Sequence, residues 1–192
     1  MLAGSYFLAA VPFGYLIGRL YGVDVRRQGS GNIGAANILR TVGKIPAVLT
    51  LLLDAGKGFL PVFLARKFLG LDPAWAVAAG LTAVFGHTFS CFLKFKGGKG
   101  VATSFGVLTG LSPLAALCVL VIWLVCFSAT RIVSFSSLAA AFCLPFLLWF
   151  LAGRQKTYLV FGCLAAGLVF FAHRRNIRRL LSGAEPKIGA KK

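Results

Sequence analysis

Val101-Ala102-Thr103-Ser104-Phe105-Gly106-Val107-Leu108-Thr109-Gly110-Leu111-Ser112-Pro113 decides how often this chain crosses a membrane. That it enters one at all follows from composition. Of 192 residues, 58% are hydrophobic and only 13% are charged, against roughly a quarter charged in soluble domains. A soluble core of this size cannot hide so much apolar side chain, whereas a bilayer takes about 20 apolar residues per helix. Apolar stretches cover residues 2–22, 45–65, 73–93, 111–129, 132–152 and 156–173, with the shorter 101–110 ahead of Leu111-Ser112-Pro113. If 101–129 is one helix there are six crossings; if 110–113 breaks it, there are seven. Cationic side chains collect on the cytoplasmic side. Seven crossings put Arg26, Arg27, Arg40, Lys44, Lys94, Lys96, Lys99, Arg131 and the basic tail on one face, leaving Arg66, Lys67, Arg154 and Lys156 on the other. Six crossings would split the basic segments between the two faces. Pro113 also supplies a physical break. The expectation is an all-α, polytopic membrane protein, one domain over 1–192, with seven transmembrane helices and the N-terminus outside and C-terminus cytoplasmic. Its fourth span is short, since ten helical residues rise only about 15 Å.

The apolar N-terminus lacks the basic start of a cleaved signal peptide and reads as a retained first span. Lys and Arg number 21 against 4 Asp and Glu. Positive-inside bias and anionic headgroups account for much of that excess, and no nucleic-acid-reading module accompanies it. Five cysteines stand singly in apolar stretches, with no C-x-x-C pair. Neither a disulfide framework nor a metal knuckle is indicated; His and carboxylates are too sparse for a metal site, and no cofactor is expected.

Three basic segments rich in small residues fall on the inner face. The first runs Arg26-Arg27-Gln28-Gly29-Ser30-Gly31-Asn32-Ile33-Gly34-Ala35-Ala36-Asn37-Ile38-Leu39-Arg40. Glycine lets backbone N–H groups approach an anion. Ser30, Asn32 and Asn37 add neutral hydrogen bonds, and Arg40 a bidentate fork. Arg26 and Arg27 read as ordinary positive-inside residues. Gly29-x-Gly31-x-x-Gly34 matches a dinucleotide fingerprint, but it follows a membrane span rather than a strand and is rejected. The second segment is Gly86-His87-Thr88-Phe89 with Lys94-Phe95-Lys96-Gly97-Gly98-Lys99-Gly100-Val101-Ala102-Thr103. A glycine-rich turn opening a helix offers free N–H groups and a favourable dipole to phosphate. The third is His173-Arg174-Arg175-Asn176-Ile177-Arg178-Arg179-Leu180 with Gly183 and Glu185. Glu185, the lone acid of the tail, is placed to pair with a cation, and His173 and Asn176 share a helical face three residues apart. Asp54 and Lys57, within the second span, are expected to pair and face the interior. Their role is open between support and substrate contact. Ser134, Ser136 and Ser137 follow Arg131 near the same surface.

Together these segments resemble the bacterial acyl-phosphate-dependent glycerol-3-phosphate acyltransferases, the PlsY family. The family's first motif is similar to Ser30 through Asn37 with Arg40, its second to Gly86–Phe89 through Lys96–Thr103, and its third to His173–Leu180 with Gly183 and Glu185. The resemblance covers nearly the whole chain. It implies transfer of a fatty acyl group from acyl phosphate to the sn-1 hydroxyl of glycerol 3-phosphate, giving 1-acylglycerol 3-phosphate and phosphate in a bacterial inner membrane. Ser30, Arg40, Lys99, His173 and Asn176 are the implied catalytic residues. Gly31, Asn32, Gly34, Asn37, His87, Gly97, Gly98, Gly100, Thr103, Ser137 and Arg178 are the implied substrate binders, and Glu185 is architectural. Ala36 and Ser90 depart from the family's frequent Thr and Pro. The implied partners are the two substrates and membrane lipid, with the chain a monomer.

The chemistry suits the inventory. Phosphate is a good leaving group, so the reaction needs charge stabilisation and orientation more than acid catalysis. Candidate bases are few: His87, His173, Asp54, Glu185, or a phosphate of the substrate. Acyltransferases built on His-x4-Asp are excluded, because Phe92 and Arg178 stand five residues after His87 and His173. The competing class is an organic-phosphate transporter, which also uses interrupted spans and cationic sites.

Overall fold

The computed structural model describes residues 1–189. Among them all regular structure is helical: α1 (Leu2–Ala10), α2 (Phe13–Leu20), α3 (Ala35–Thr41), α4 (Lys44–Phe63), α5 (Pro73–Thr88), α6 (Val101–Leu111), α7 (Pro113–Thr130), α8 (Val133–Leu151), α9 (Lys156–Ala172) and α10 (Arg174–Leu181). The chain forms two compact units, the second beginning at Ser112. The helical segments Lys44–Phe68, Pro73–Leu93, Pro113–Thr130 and Val133–Leu151 are each long and apolar enough to cross a bilayer. The pair α9 and α10, bent by 65°, makes a fifth candidate. The seven crossings expected from the sequence thus reduce to four or five on length and composition. The two stretches that fall short are the 11-residue α6 and the first apolar run.

That first run is not one helix. It stops at Ala10 and restarts at Phe13, because Pro12 has no N–H to continue the ladder. The carbonyls orphaned at such a break must find donors when buried. Ser90 Oγ donates to Ala10 O at 2.6 Å, and Lys57 Nζ donates to Val11 O at 2.7 Å. Tyr6 Oη donates to Phe89 O at 2.9 Å, so α1 is tied to the end of α5 from its own side as well.

The break expected near Pro113 is present. α6 ends at Leu111, and Ser112, in an extended conformation, caps α7 with Pro113 in the first helical position. The terminal carbonyls of α6 do not go unmet: Arg66 Nη1 donates to Gly110 O at 2.8 Å and to Leu111 O at 2.9 Å. Arg66 lies in a wider helical turn, Leu64–Phe68, that continues α4.

Within the first unit, α4 and α6 cross with their backbones in contact. A Cβ at Gly58 would collide with Thr103 O, and one at Gly106 with Ala55 O. Small residues at helix crossings are how spans gain close packing when lipid is as apolar as the side chains. The outward faces are aliphatic, as a lipid-facing surface requires; in α7, Leu117, Val121, Leu124 and Val125 are all exposed.

Gly106→Ala and Gly58→Ala are therefore expected to lower stability by about 1–3 kcal/mol each. Gly56→Ala, on the same helix with nothing within 4 Å, is expected to be neutral or slightly stabilising. Thermal unfolding in detergent compares the three.

Candidate active site

The first basic segment folds around one side chain. Asn37, 1% exposed, accepts the Ser30 N–H on Oδ1 at 2.8 Å. Its amide group donates to Val25 O at 2.9 Å and Asn32 O at 2.8 Å, with Gln28 O at 3.1 Å sharing the same donors. Asn32 Oδ1 in turn accepts the Gly34 N–H at 2.9 Å, closing a turn ahead of α3. Gly29 has φ +58° and a Cβ there would strike Asn37 Oδ1, so two reasons demand glycine. The outcome is an ordered loop that leaves Ser30, Gly31 and Arg40 exposed, with Arg40 in the last turn of α3. Arg26, read from the sequence as an ordinary positive-inside residue, is engaged locally. It pairs with Asp24 at 2.8 Å and covers the Tyr15 ring at 4.3 Å. Its hydrogen bond, above all, holds the Asp24 carboxyl down at about 2.

The second segment is fastened to the C-terminus of α5. The N–H of Gly98 donates to His87 O at 3.1 Å, and that of Gly97 to Thr88 O at 3.0 Å. These are last-turn carbonyls that the helix itself cannot satisfy. A Cβ at Gly97 would strike His87 O, and a Cβ at Gly98 would strike His87 Nε2. Gly100, at φ +76°, then turns the chain so that its carbonyl accepts the Ser104 N–H at 2.7 Å and α6 begins. Lys99 is half-buried in this turn, and Thr103 is buried in the first turn of α6. Leu93 packs into a buried cluster with Val25, Ile33, Ile38 and Ala47. The first and second segments thus share one apolar footing within the first unit.

The third segment lies in the second unit and has its own centre, Glu185. Its Oε1 accepts from Ser134 Oγ at 2.7 Å and from Asn176 Nδ2 at 2.5 Å, while Oε2 pairs with Arg179 Nε at 2.6 Å. Burial pushes this carboxyl up, but the hydrogen bonds from Arg179, Ser134 and Asn176 outweigh burial and hold it below the ordinary Glu range. The backbone of Ile188 closes the tail by donating to Arg131 O at 2.8 Å. Asn176 and His173 do not share one continuous helix, as their spacing suggested. His173 sits at the bend between α9 and α10, buried, with Nδ1 2.8 Å from Val169 O. A carbonyl only accepts, so Nδ1 carries a proton. Arg178 is exposed on α10. Ser137, buried, donates to Val133 O at 2.9 Å and accepts from Trp123 Nε1 at 3.1 Å.

A family model described as glycerol-3-phosphate acyltransferase matches residues 1–183. The chain belongs to the glycerol-3-phosphate acyltransferase family. A relative of that name from Synechococcus sp. (strain JA-3-3Ab) is 52% identical over 189 residues, covering 98% of this chain and 92% of the relative. One from Geotalea daltonii is 45% identical over 185 residues, covering 96% and 94%. Among solved structures, PlsY (YgiH), an integral membrane glycerol 3-phosphate acyltransferase, in its glycerol 3-phosphate form superposes with TM-score 0.93 at 41% identity, covering 98% of this chain and 94% of that one. Its lysophosphatidic acid form gives TM-score 0.91 at 40% identity. This chain is accordingly an integral membrane member of the acyltransferase family, and the carrier alternative is not favoured.

Two features escaped the sequence reading: the partnership of Asp24 with Arg26, and the use of Lys57 to satisfy a broken span. Pro12 inside the first apolar run is the signal that could have exposed the second.

Because the folded pKa of Glu185 is depressed, its charge contributes stability above the ordinary carboxyl range and loses it as pH falls. The stability advantage of the wild type over Glu185→Gln is expected to shrink as pH drops through about 4.5. Melting midpoints of the two proteins between pH 7 and 4 measure this.

Proposed function

We propose that the chain transfers a fatty acyl group from acyl phosphate to the sn-1 hydroxyl of glycerol 3-phosphate, the first acylation of phospholipid synthesis. The hydroxyl oxygen attacks the acyl carbonyl carbon, the bond from that carbon to the phosphate oxygen breaks, and inorganic phosphate leaves with 1-acylglycerol 3-phosphate as product. The observation that carries the reading is the glycine loop at Gly97–Gly100. It is pinned at its start to α5 and brings together Lys99 and the first-turn N–H groups of α6, which have no partner within the helix, where a phosphate is favoured by charge, dipole and donors together. Arg40 and Lys99 neutralise phosphate charge, and Ser30 with Gly31, Asn32 and Gly34 lines the first loop against substrate. Asn37 serves by fixing that loop. Thr103 enters the binding set as a hydroxyl donor and Ser137 as an acceptor, since its own O–H is committed to Val133 O, and His173, Asn176 and Arg178 are the residues of the third segment required for activity. Glu185 holds Asn176 and is architectural.

The basic segments face the cytoplasm of a bacterial inner membrane in this reading. The N-terminus is outside, and the broken first run and short α6 complete seven crossings of a single functional domain. The chain acts as a monomer in this reading.

Purified protein in detergent is expected to release phosphate only when acyl phosphate and glycerol 3-phosphate are both present. Arg40→Ala and Lys99→Ala should each lower kcat/KM by about 100-fold or more, the scale of losing a charge-stabilising donor. Binding of glycerol 3-phosphate without turnover would overturn the proposal. Two groups can take the hydroxyl proton: His173 at Nε2, or a substrate phosphate whose second ionisation lies near 6. The pH–rate profile of His173→Ala separates them. Loss of the acidic limb assigns the proton to the histidine, and an unchanged limb at lower rate assigns it to phosphate.

A further inference from the structure

Asp54, Lys57 and His87 are buried to 2%, 3% and 4% exposure, and the proposed acyl transfer uses none of them as a reacting group. Ionisable side chains inside a span are costly and persist when paired. Lys57 Nζ lies 2.8 Å from Asp54 Oδ1 while donating to Val11 O, with the Phe13 ring centred 5.4 Å from the ammonium. From the other side, His87 Nδ1 approaches the same Oδ1 at 3.6 Å. The opposite edge of the imidazole faces the backbone of Gly98, where Nε2 occupies the space that a Cβ would need. The same residue's carbonyl accepts the Gly98 N–H. A continuous run of contacts therefore joins the broken first span, through Lys57, Asp54 and His87, to the loop that precedes α6.

We propose that Asp54, Lys57 and His87 are positioning residues: the ion pair fixes the imidazole edge-on beneath Gly98 and so sets the height of the Gly97–Gly100 loop. This deepens the reading of that loop as the glycerol 3-phosphate site and rests on it. His87 then acts on the substrate through the loop backbone. Its near-complete burial fits this role better than direct contact. Asp54 faces Lys57 from its own helix and His87 from α5, so removing its charge releases the imidazole without touching Lys99.

Asp54→Asn keeps the shape and deletes the charge. The expected result is a KM for glycerol 3-phosphate raised about tenfold, with kcat and the KM for acyl phosphate within about twofold, the signature of lost ground-state binding at one substrate. Asp54→Glu, which restores the charge, is expected to recover part of that loss. Asn at 54 also leaves Lys57 buried without its carboxylate and can prevent folding, so His87→Phe provides a second route. It keeps the ring volume and the Asp54–Lys57 pair but removes both nitrogens, and the same selective rise in KM is expected. If His87→Phe melts like the wild type and leaves the KM for glycerol 3-phosphate unchanged, or if kcat and both KM values worsen together, the positioning role is overturned. Wild-type protein assayed alongside keeps this separate from the function itself. Absence of glycerol 3-phosphate-dependent turnover in the wild type would sink the proposed reaction, whereas normal wild-type turnover with unaffected variants would sink only the positioning role.

Discussion

A lysine ammonium buried in a membrane span donates to a carbonyl at the break of another helix, and that hydrogen bond ties α4 to the interrupted first run. Lipid offers no donor to a stranded carbonyl. Without Ser90 the break at Val11–Pro12 would strand the Ala10 carbonyl, and without Lys57 the Val11 carbonyl would keep only the Phe13 N–H, at 3.1 Å. Lys57 in turn needs a counter-charge, which Asp54 supplies one helical turn away. The break gives the chain somewhere to turn. α2 begins at Phe13, and Gly14 at its start sits so close to Ile33 O that no side chain would fit. The first basic loop is thereby seated against the interrupted span.

The same reasoning explains why glycine recurs where it does. Gly97 and Gly98 are required by approach to His87, Gly58 and Gly106 by a backbone crossing, and Gly29 and Gly100 also by their positive φ. Loop and helix crossing meet at α6, whose first turn carries both the junction with Gly100 and the contact of Thr103 with Gly58. Rigid packing against α4 is what makes the N-terminus of so short a helix a fixed feature.

Much of this was legible beforehand, and the exceptions have physical reasons. Composition and apolar run length give the helical membrane class, and Pro113 gives the interruption that separates α6 from α7. Spacing gives the Asp54–Lys57 pair, because i and i+3 are neighbours on any helix. That Glu185, a lone acid among cations, would pair with one of them was foreseen, though not that the partner is Arg179. Hydropathy missed the break at Pro12 because it averages over a window and registers no lost donor. Helical spacing alone put His173 and Asn176 on one face of one helix, but the 65° bend falls at His173, which ends α9 and caps the α10 that carries Asn176. The commitment of the Asn37 amide to its own loop was hidden because its partners, at positions 25, 28, 30 and 32, are backbone groups that sequence does not name.

Ser90 has a consequence that belongs to descent rather than to mechanics. Its hydroxyl satisfies Ala10 O, yet the family pattern that this chain otherwise resembles often places proline there. Proline has no donor to give. A residue without a hydroxyl at this position leaves the Ala10 carbonyl to find another donor, so the break in the first span depends on a side chain eighty residues away in sequence.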